Sequence, residues 1–139
     1  MSVFYGCKMD GDFRKMNLKK YVYGLLSGNS ELTSLIGSSH VLSSYPQEVT
    51  TFQLVVFEDM FSSDVAFSDN LPEGTSAQVR IHIFSKTIKN YAKVEDIAEI
   101  IRSIFRSDFW AMTNNTDTAD VEDNTRHRIM DFRREFYSL

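Results

Sequence analysis

Residues 90–107, NYAKVEDIAEIIRSIFRS, carry Val94, Ile97, Ala98, Ile101, Ile104 and Phe105 at intervals of three and four. That spacing gathers six apolar side chains on one broad stripe of a helix. A stripe this wide holds its helix in place only when a second apolar layer covers it, so the rest of the chain must supply that layer. Acids come early in the segment (Glu95, Asp96, Glu99) and arginines late (Arg102, Arg106), the order that the helix dipole favours. Just upstream, AQVRIHIFSK (77–86) has a period of two: Val79, Ile81 and Ile83 fall on one face, Gln78, Arg80 and His82 on the other. A helix with one apolar stripe beside a strand with one apolar face predicts helix packed on sheet.

The remaining elements follow from similar signals. Leu18, Tyr21, Val22 and Leu25 form a helical stripe in a segment that begins near Phe13 and ends at Gly28–Asn29. SELTSLIG (30–37) is a short second helix with an Asn29 or Ser30 cap, a buried side of Leu32, Leu35 and Ile36, and a stop at Gly37. VLSSYP (41–46) and TFQLVVFEDM (51–60) read as strands, Pro46 marking a strand end. FSSDVAFSDNLPEGTS (61–76) reads as a polar loop with a turn at Leu71–Gly74. WAM (110–112) opens a strand, NNTDTADVEDN is an acidic connector, and TRHRIMDFRREFY (125–137) closes the chain as a final strand. The expected fold class is α+β, with a mixed or antiparallel β-sheet, helices packed on one face, and the order α-β-β-β-α-β-β. A length of 139 residues suits a single domain over residues 13–139, preceded by an N-terminal arm, 1–12, that shows no period.

Composition narrows the function. The formal net charge of −4 argues against a dedicated nucleic-acid-binding domain. The one cysteine, Cys7, excludes an intrachain disulfide and has no neighbouring nucleophile motif. The opening MSVFYGCKMDGD has neither the basic nor the apolar region of a signal peptide, and no apolar run is long enough to cross a bilayer, so a soluble protein is expected. The acids Asp117, Asp120, Glu122 and Asp123 lack the mid-loop glycine and regular spacing of a calcium loop. His40, His82 and His127 have no partner at metal-ligand spacing, although His82 and His127 would meet if their strands were neighbours. Glycine-rich phosphate loops and nucleophile elbows are missing as well. On these grounds no catalytic residue, cofactor or metal is expected.

Charge is distributed unevenly. No lysine or arginine occurs between Lys20 and Arg80, where Glu31, Glu48, Glu58, Asp59, Asp64, Asp69 and Glu73 all fall. The closing strand, in contrast, holds Arg126, Arg128, Arg133 and Arg134, half of the chain's arginines. Three readings stay open: solvated charges on a strand (an edge guarded against pairing being one form), a contact with another subunit, or a grip on DNA phosphates. Asp131, Glu135 and the acidic connector weigh against the last.

A helix leading into LLSGNSELTSLIG, a strand ending at Tyr45-Pro46, FQLVVFED, VRIHIFSK, the helix YAKVEDIAEIIRSIF and a terminal TRHRIMDFRREF together resemble the tail-completion (tail-terminator) proteins of long-tailed bacteriophages. The likeness spans residues 16–137 and lies in order and pattern, with the arm 1–12 and the connector 108–124 departing from it. It implies a non-enzymatic virion protein that forms a homo-oligomeric ring, usually a hexamer, on the end of the tail tube. Such a ring stops tube growth, meets the head-completion protein, and lets DNA pass through its lumen without specific binding. No catalytic residues or cofactors come with the family. A ring needs two different complementary patches on each subunit. Arg126, Arg128, Arg133 and Arg134 facing Glu58, Asp59, Asp64 and Asp69 of a neighbour would form such a pair. Phe61, Val65 and Phe67 of the 61–74 loop would contact the tail tube. The alternatives are a head-closure or neck adaptor protein and a small nucleic-acid-binding regulator.

Overall fold

The apolar stripe of residues 90–107 lies against a five-stranded sheet in the computed structural model, which describes residues 17–43, 53–68, 71–88, 90–119 and 124–137. The elements in chain order are α1 (Leu18–Ser27), α2 (Ser30–Ile36), a 3-10 turn (Ser38–His40), β1 (Val41–Leu42), β2 (Leu54–Ser68), β3 (Leu71–Lys86), α3 (Val94–Ser107), β4 (Ala111–Ala119) and β5 (Thr125–Tyr137). Asn17 caps α1 by accepting from the Lys20 N–H at 3.1 Å, and Asn29 caps α2 by accepting from the Leu32 N–H at 2.9 Å. Both helices therefore begin on an asparagine, and α1 ends at Gly28.

The strand order is β1-β2-β3-β5-β4. β1 pairs parallel with β2, and every other pair is antiparallel, so the sheet is mixed. Alternate residues of each strand face the helices. Val55 and Phe57 of β2, Val79, Ile81 and Ile83 of β3, and Met130, Phe132 and Phe136 of β5 join Val22, Leu26, Leu32, Ile36 and the whole stripe of α3 in one core. Phe105 of α3 stacks on Phe132 of β5 at 4.4 Å and meets Trp110 edge-on at 5.4 Å, which locks α3 over the middle of the sheet. The chain is thus α+β with its helices on one face, as the alternation and the helical stripe require. Among the described residues no helix is long and apolar enough to cross a membrane.

Three local readings are corrected. Residues 61–68 and 71–76 are not a loop: they extend β2 and β3 into a long antiparallel hairpin that reaches Ser68↔Leu71. The 108–124 connector contains a full strand, β4, which the threonines and asparagines of AMTNNTDTA conceal because an edge strand has little to bury. The closing strand is no edge: β5 lies between β3 and β4 from Arg126 to Arg133. The arm 1–12, Tyr45-Pro46 and Asp69 lie outside the described residues.

Candidate subunit-contact surface

The alternation of β5 sends its arginines to two different faces. Even-numbered residues face the helices, and Arg134 is the third of four successive such positions from Met130 to Phe136. It is only 5% exposed. Its Nη1 donates to the Asp108 backbone carbonyl at 2.7 Å, to Asp108 Oδ2 at 2.8 Å and to Tyr21 Oη at 3.1 Å, and its guanidinium lies 4.2 Å from the centre of the Phe136 ring. Asp108 Oδ2 also accepts from Tyr21 Oη (2.6 Å) and Trp110 Nε1 (3.0 Å). A buried charge is tolerable only when paired and hydrogen-bonded, and here it joins β5 to α1 and to the turn after α3. Arg134 thus holds its own subunit together, its guanidinium buried among internal partners.

Arg126 and Arg128 lie on the same face further along, beyond the covered core. Arg126 donates to Glu95 of α3 at 2.5 Å and to Asp117 of β4 at 2.5 Å; Arg128 donates to Asp117 at 3.3 Å. The Arg126 hydrogen bond, with one from its own backbone, holds the Glu95 carboxyl below the usual carboxylate range. Burial alone would raise Asp117, yet the bonds from Arg128 and Arg126 outweigh it and hold Asp117 low as well. Asp117, read from the sequence as part of an acidic connector, is here the anion that separates two arginines.

The opposite face bears a second polar array. Arg80 Nε and Nη2 grip the two oxygens of Asp131, directly across the β3–β5 pair, at 2.8 and 3.1 Å. That fork, against burial and with help from Asn114, holds Asp131 below its ordinary range. His82 is 6% exposed: its Nε2 donates to Glu58 Oε1 at 2.6 Å, and its Nδ1 lies 2.9 Å from His127 Nε2. In the tautomer that carries its proton on Nε2, His82 Nδ1 accepts from the His127 Nε2–H. His127 stacks on Phe84 at 4.2 Å. The two strand histidines therefore do meet. Leu54, Val56 and Phe84 form a small apolar cluster on this face that sequence reasoning missed, since it took only one face of each strand as buried. Arg133 lies here too, bonded to Glu135 at 2.6 Å and to Ser76 at 3.1 Å, with 44% of its side chain exposed. It is the most exposed of the four arginines. Among the described residues no group of three or more His, Cys, Asp or Glu is placed to hold a metal ion.

The acidic stretch maps to the other side of the sheet. Glu58, Asp59 and Asp64 occupy β2 opposite Arg80, Val79 and Thr75, and Phe61, Val65 and Phe67 occupy the same strand opposite Gln78, Gly74 and Pro72. Because β3 separates β2 from β5, Glu58, Asp59 and Asp64 lie on one side of β3, and the β5 arginines lie on the other together with Asp117, Asp131 and Glu135. Within one chain, Glu58 meets His82, and it does not meet the β5 arginines.

Comparison with known proteins identifies the class: the profile of the tail completion protein gp17 family matches residues 20–134, and the chain belongs to that family. It is a bacteriophage tail-completion protein, a structural component of the virion. Among solved structures it is similar to a chain in the virion of a native gene transfer agent particle, with a TM-score of 0.62, 14% identity, and coverage of 87% of this chain and 95% of that one. It is also similar to the gp17 protein of bacteriophage SPP1, with a TM-score of 0.53, 17% identity and coverage of 88% of both chains. At these identities the likeness is one of fold. No curated protein matches the chain.

Proposed function

We propose that the protein closes the end of the phage tail tube as a homo-oligomeric ring, a hexamer in the simplest form, and presents the surface on which the head-completion protein docks. Membership of the tail-completion family carries this reading. The separation of the β2 acids from the β5 arginines supports it, because a ring needs two different complementary patches on each subunit. In the ring, Glu58, Asp59, Asp64 and Asp69 of one copy approach Arg126, Arg128 and Arg133 of the next. Arg133, the most exposed of them, exchanges its bond to Glu135 for a partner across the contact. Arg134 supports this surface from inside its own subunit. Phe61, Val65 and Phe67, on the β2–β3 hairpin, meet the tail tube. DNA passes through the lumen without specific binding; the arginines are held at contacts between protein elements, where they do not retain phosphates by counterion release.

The test adds purified protein to polymerising tail-tube protein. Tubes of limited length with ring density at one end support the reading. Tubes that grow as long with the protein as without it would overturn it. Arg133→Glu should weaken capping by at least tenfold in the concentration required, the effect of losing about 1.4 kcal/mol or more per contact.

A further inference from the structure

The sheet has two open sides of unequal kind. On one side β1 covers only Val55 and Val56, so among the described residues the outer edge of β2 from Phe57 to Ser68 has no strand beside it. On the other side β4 is the last strand, and among the described residues its outer edge has no strand beside it over all nine residues. An open edge is a row of backbone donors and acceptors ready to pair, which proteins usually block with proline, lysine or inward charge. Neither edge has a proline or lysine: β2 reads FEDMFSSDVAFS from Phe57, and β4 reads AMTNNTDTA, whose single charge, Asp117, is held by Arg126 and Arg128.

We propose that β4 of one copy pairs antiparallel with the 57–68 edge of β2 in the next copy, so that the ring wall is one continuous β-sheet. The inference rests on the ring reading above and specifies how neighbouring copies are joined. Strand direction favours it. β2 is antiparallel to β3, β3 to β5, and β5 to β4, so β4 runs opposite to β2. Rotation about a ring axis that follows the strands leaves these directions unchanged and brings β4 beside the neighbour's β2 in the antiparallel sense, the more stable one.

Charge selects this junction over pairing of like edges. Two β2 edges would set Glu58, Asp59 and Asp64 against their own copies. β4 against β2 instead brings the acids beside β4 and within two strand spacings, about 10 Å, of β5, the strand that bears Arg126, Arg128 and Arg133. The acids keep free copies from pairing through β2, and the arginines behind β4 relieve that repulsion.

The register is consistent with closure. Asn115, the middle of β4, is level with Met130 and Ile81, whereas Ser62, near the middle of the free part of β2, is level with Ala77. Matching the two midpoints slides the neighbour by about four residues, or about 13 Å, across four strands that span about 19 Å. That stagger corresponds to a strand tilt of roughly 35°, within the range of closed barrels. An even shift also keeps the faces in phase: Ile81, Met130 and Ala77 all face the helices.

The test uses short thiol–thiol crosslinking of the full chain in a Cys7→Ser background, after assembly on tail tubes. Asn115→Cys is combined in turn with Ser62→Cys, Ser63→Cys and Asp64→Cys. Within one copy β2 and β4 are three strand spacings apart, about 14 Å, so a short crosslink must join two copies. The expected result is a ladder of linked oligomers for at least one combination and none for any single-cysteine variant. Rings without a ladder, or linked dimers from Asn115→Cys alone, would overturn the junction while leaving the ring intact. Tubes that carry no ring would overturn both. Hydrogen exchange on the unsubstituted protein gives an independent readout: amides of 111–119 should gain at least tenfold protection on assembly, and unchanged exchange there overturns the pairing.

Discussion

Arg134 and Arg133 are adjacent in the chain and have different roles. The pleat of β5 turns one inward to Asp108 and Tyr21 and leaves the other half exposed beside Ser76 and Glu135. Arg134→Ala leaves the Asp108 carboxylate without its cation, and breaking a buried pair in this way costs about 3–5 kcal/mol. Chemical denaturation should show that loss, whereas Arg133→Ala should stay within about 1 kcal/mol of the native chain. Acid should act through the carboxylates held low by arginine. For Asp131, Glu95 and Asp117 the folded pKa lies below the unfolded one, so each favours the fold above about pH 4, and that contribution fades as pH falls through the folded values. Thermal melts should therefore fall steeply below about pH 4. Asp131→Asn, at the carboxylate better insulated from solvent than the other two, should flatten that fall while lowering stability at neutral pH. In the sequence all four arginines of β5 look alike; only their parity relative to Met130 and Phe132 separates them. Asp108 gave no warning of its role, because its partners are distant in the chain and meet only when α1, β5 and the turn after α3 are assembled.

At the scale of elements, legibility followed burial. α3, β3 and β5 bury one face each against a common core, and their periods of 3.6 and 2 are plain in the chain. The opening of β4 at WAM was legible, but its extent through 113–119 and the outer part of the β2–β3 hairpin escaped. β4 is an edge strand with mostly exposed polar side chains, so nothing imposes an apolar alternation on it. Residues 61–76 read as a loop because serine, aspartate and proline usually mark turns, yet the backbone ladder there continues from a well-packed start at Leu54 and Phe84. The charge segregation was visible from the start; that the β2 acids and the β5 arginines lie on opposite sides of β3 depends on the strand order, which no local pattern encodes. The hairpin can be tested as a separable part. Replacing residues 64–75 with Asn-Gly joins Ser63 to Ser76, which already face each other, through a two-residue turn. The shortened chain should keep its far-ultraviolet circular dichroism and cooperative melt but lose tube capping, since Asp64, Val65 and Phe67 are all removed. Retained capping would take the hairpin out of the tube contact.

At the scale of the whole molecule, one-sided helix packing leaves the sheet's two lateral edges for neighbours. The subunit has internally paired charges and a closed core, and among the described residues β4 and the outer part of β2 have no strand beside them. Family membership identifies the virion as its setting, and the proposed ring would give a physical reason for the split of acids and arginines along the chain. The most direct measurement is electron microscopy of a lysate from the phage with this gene deleted. The account predicts DNA-filled heads beside unattached tails, some of them overlong. Joined particles with tails of normal length would contradict it.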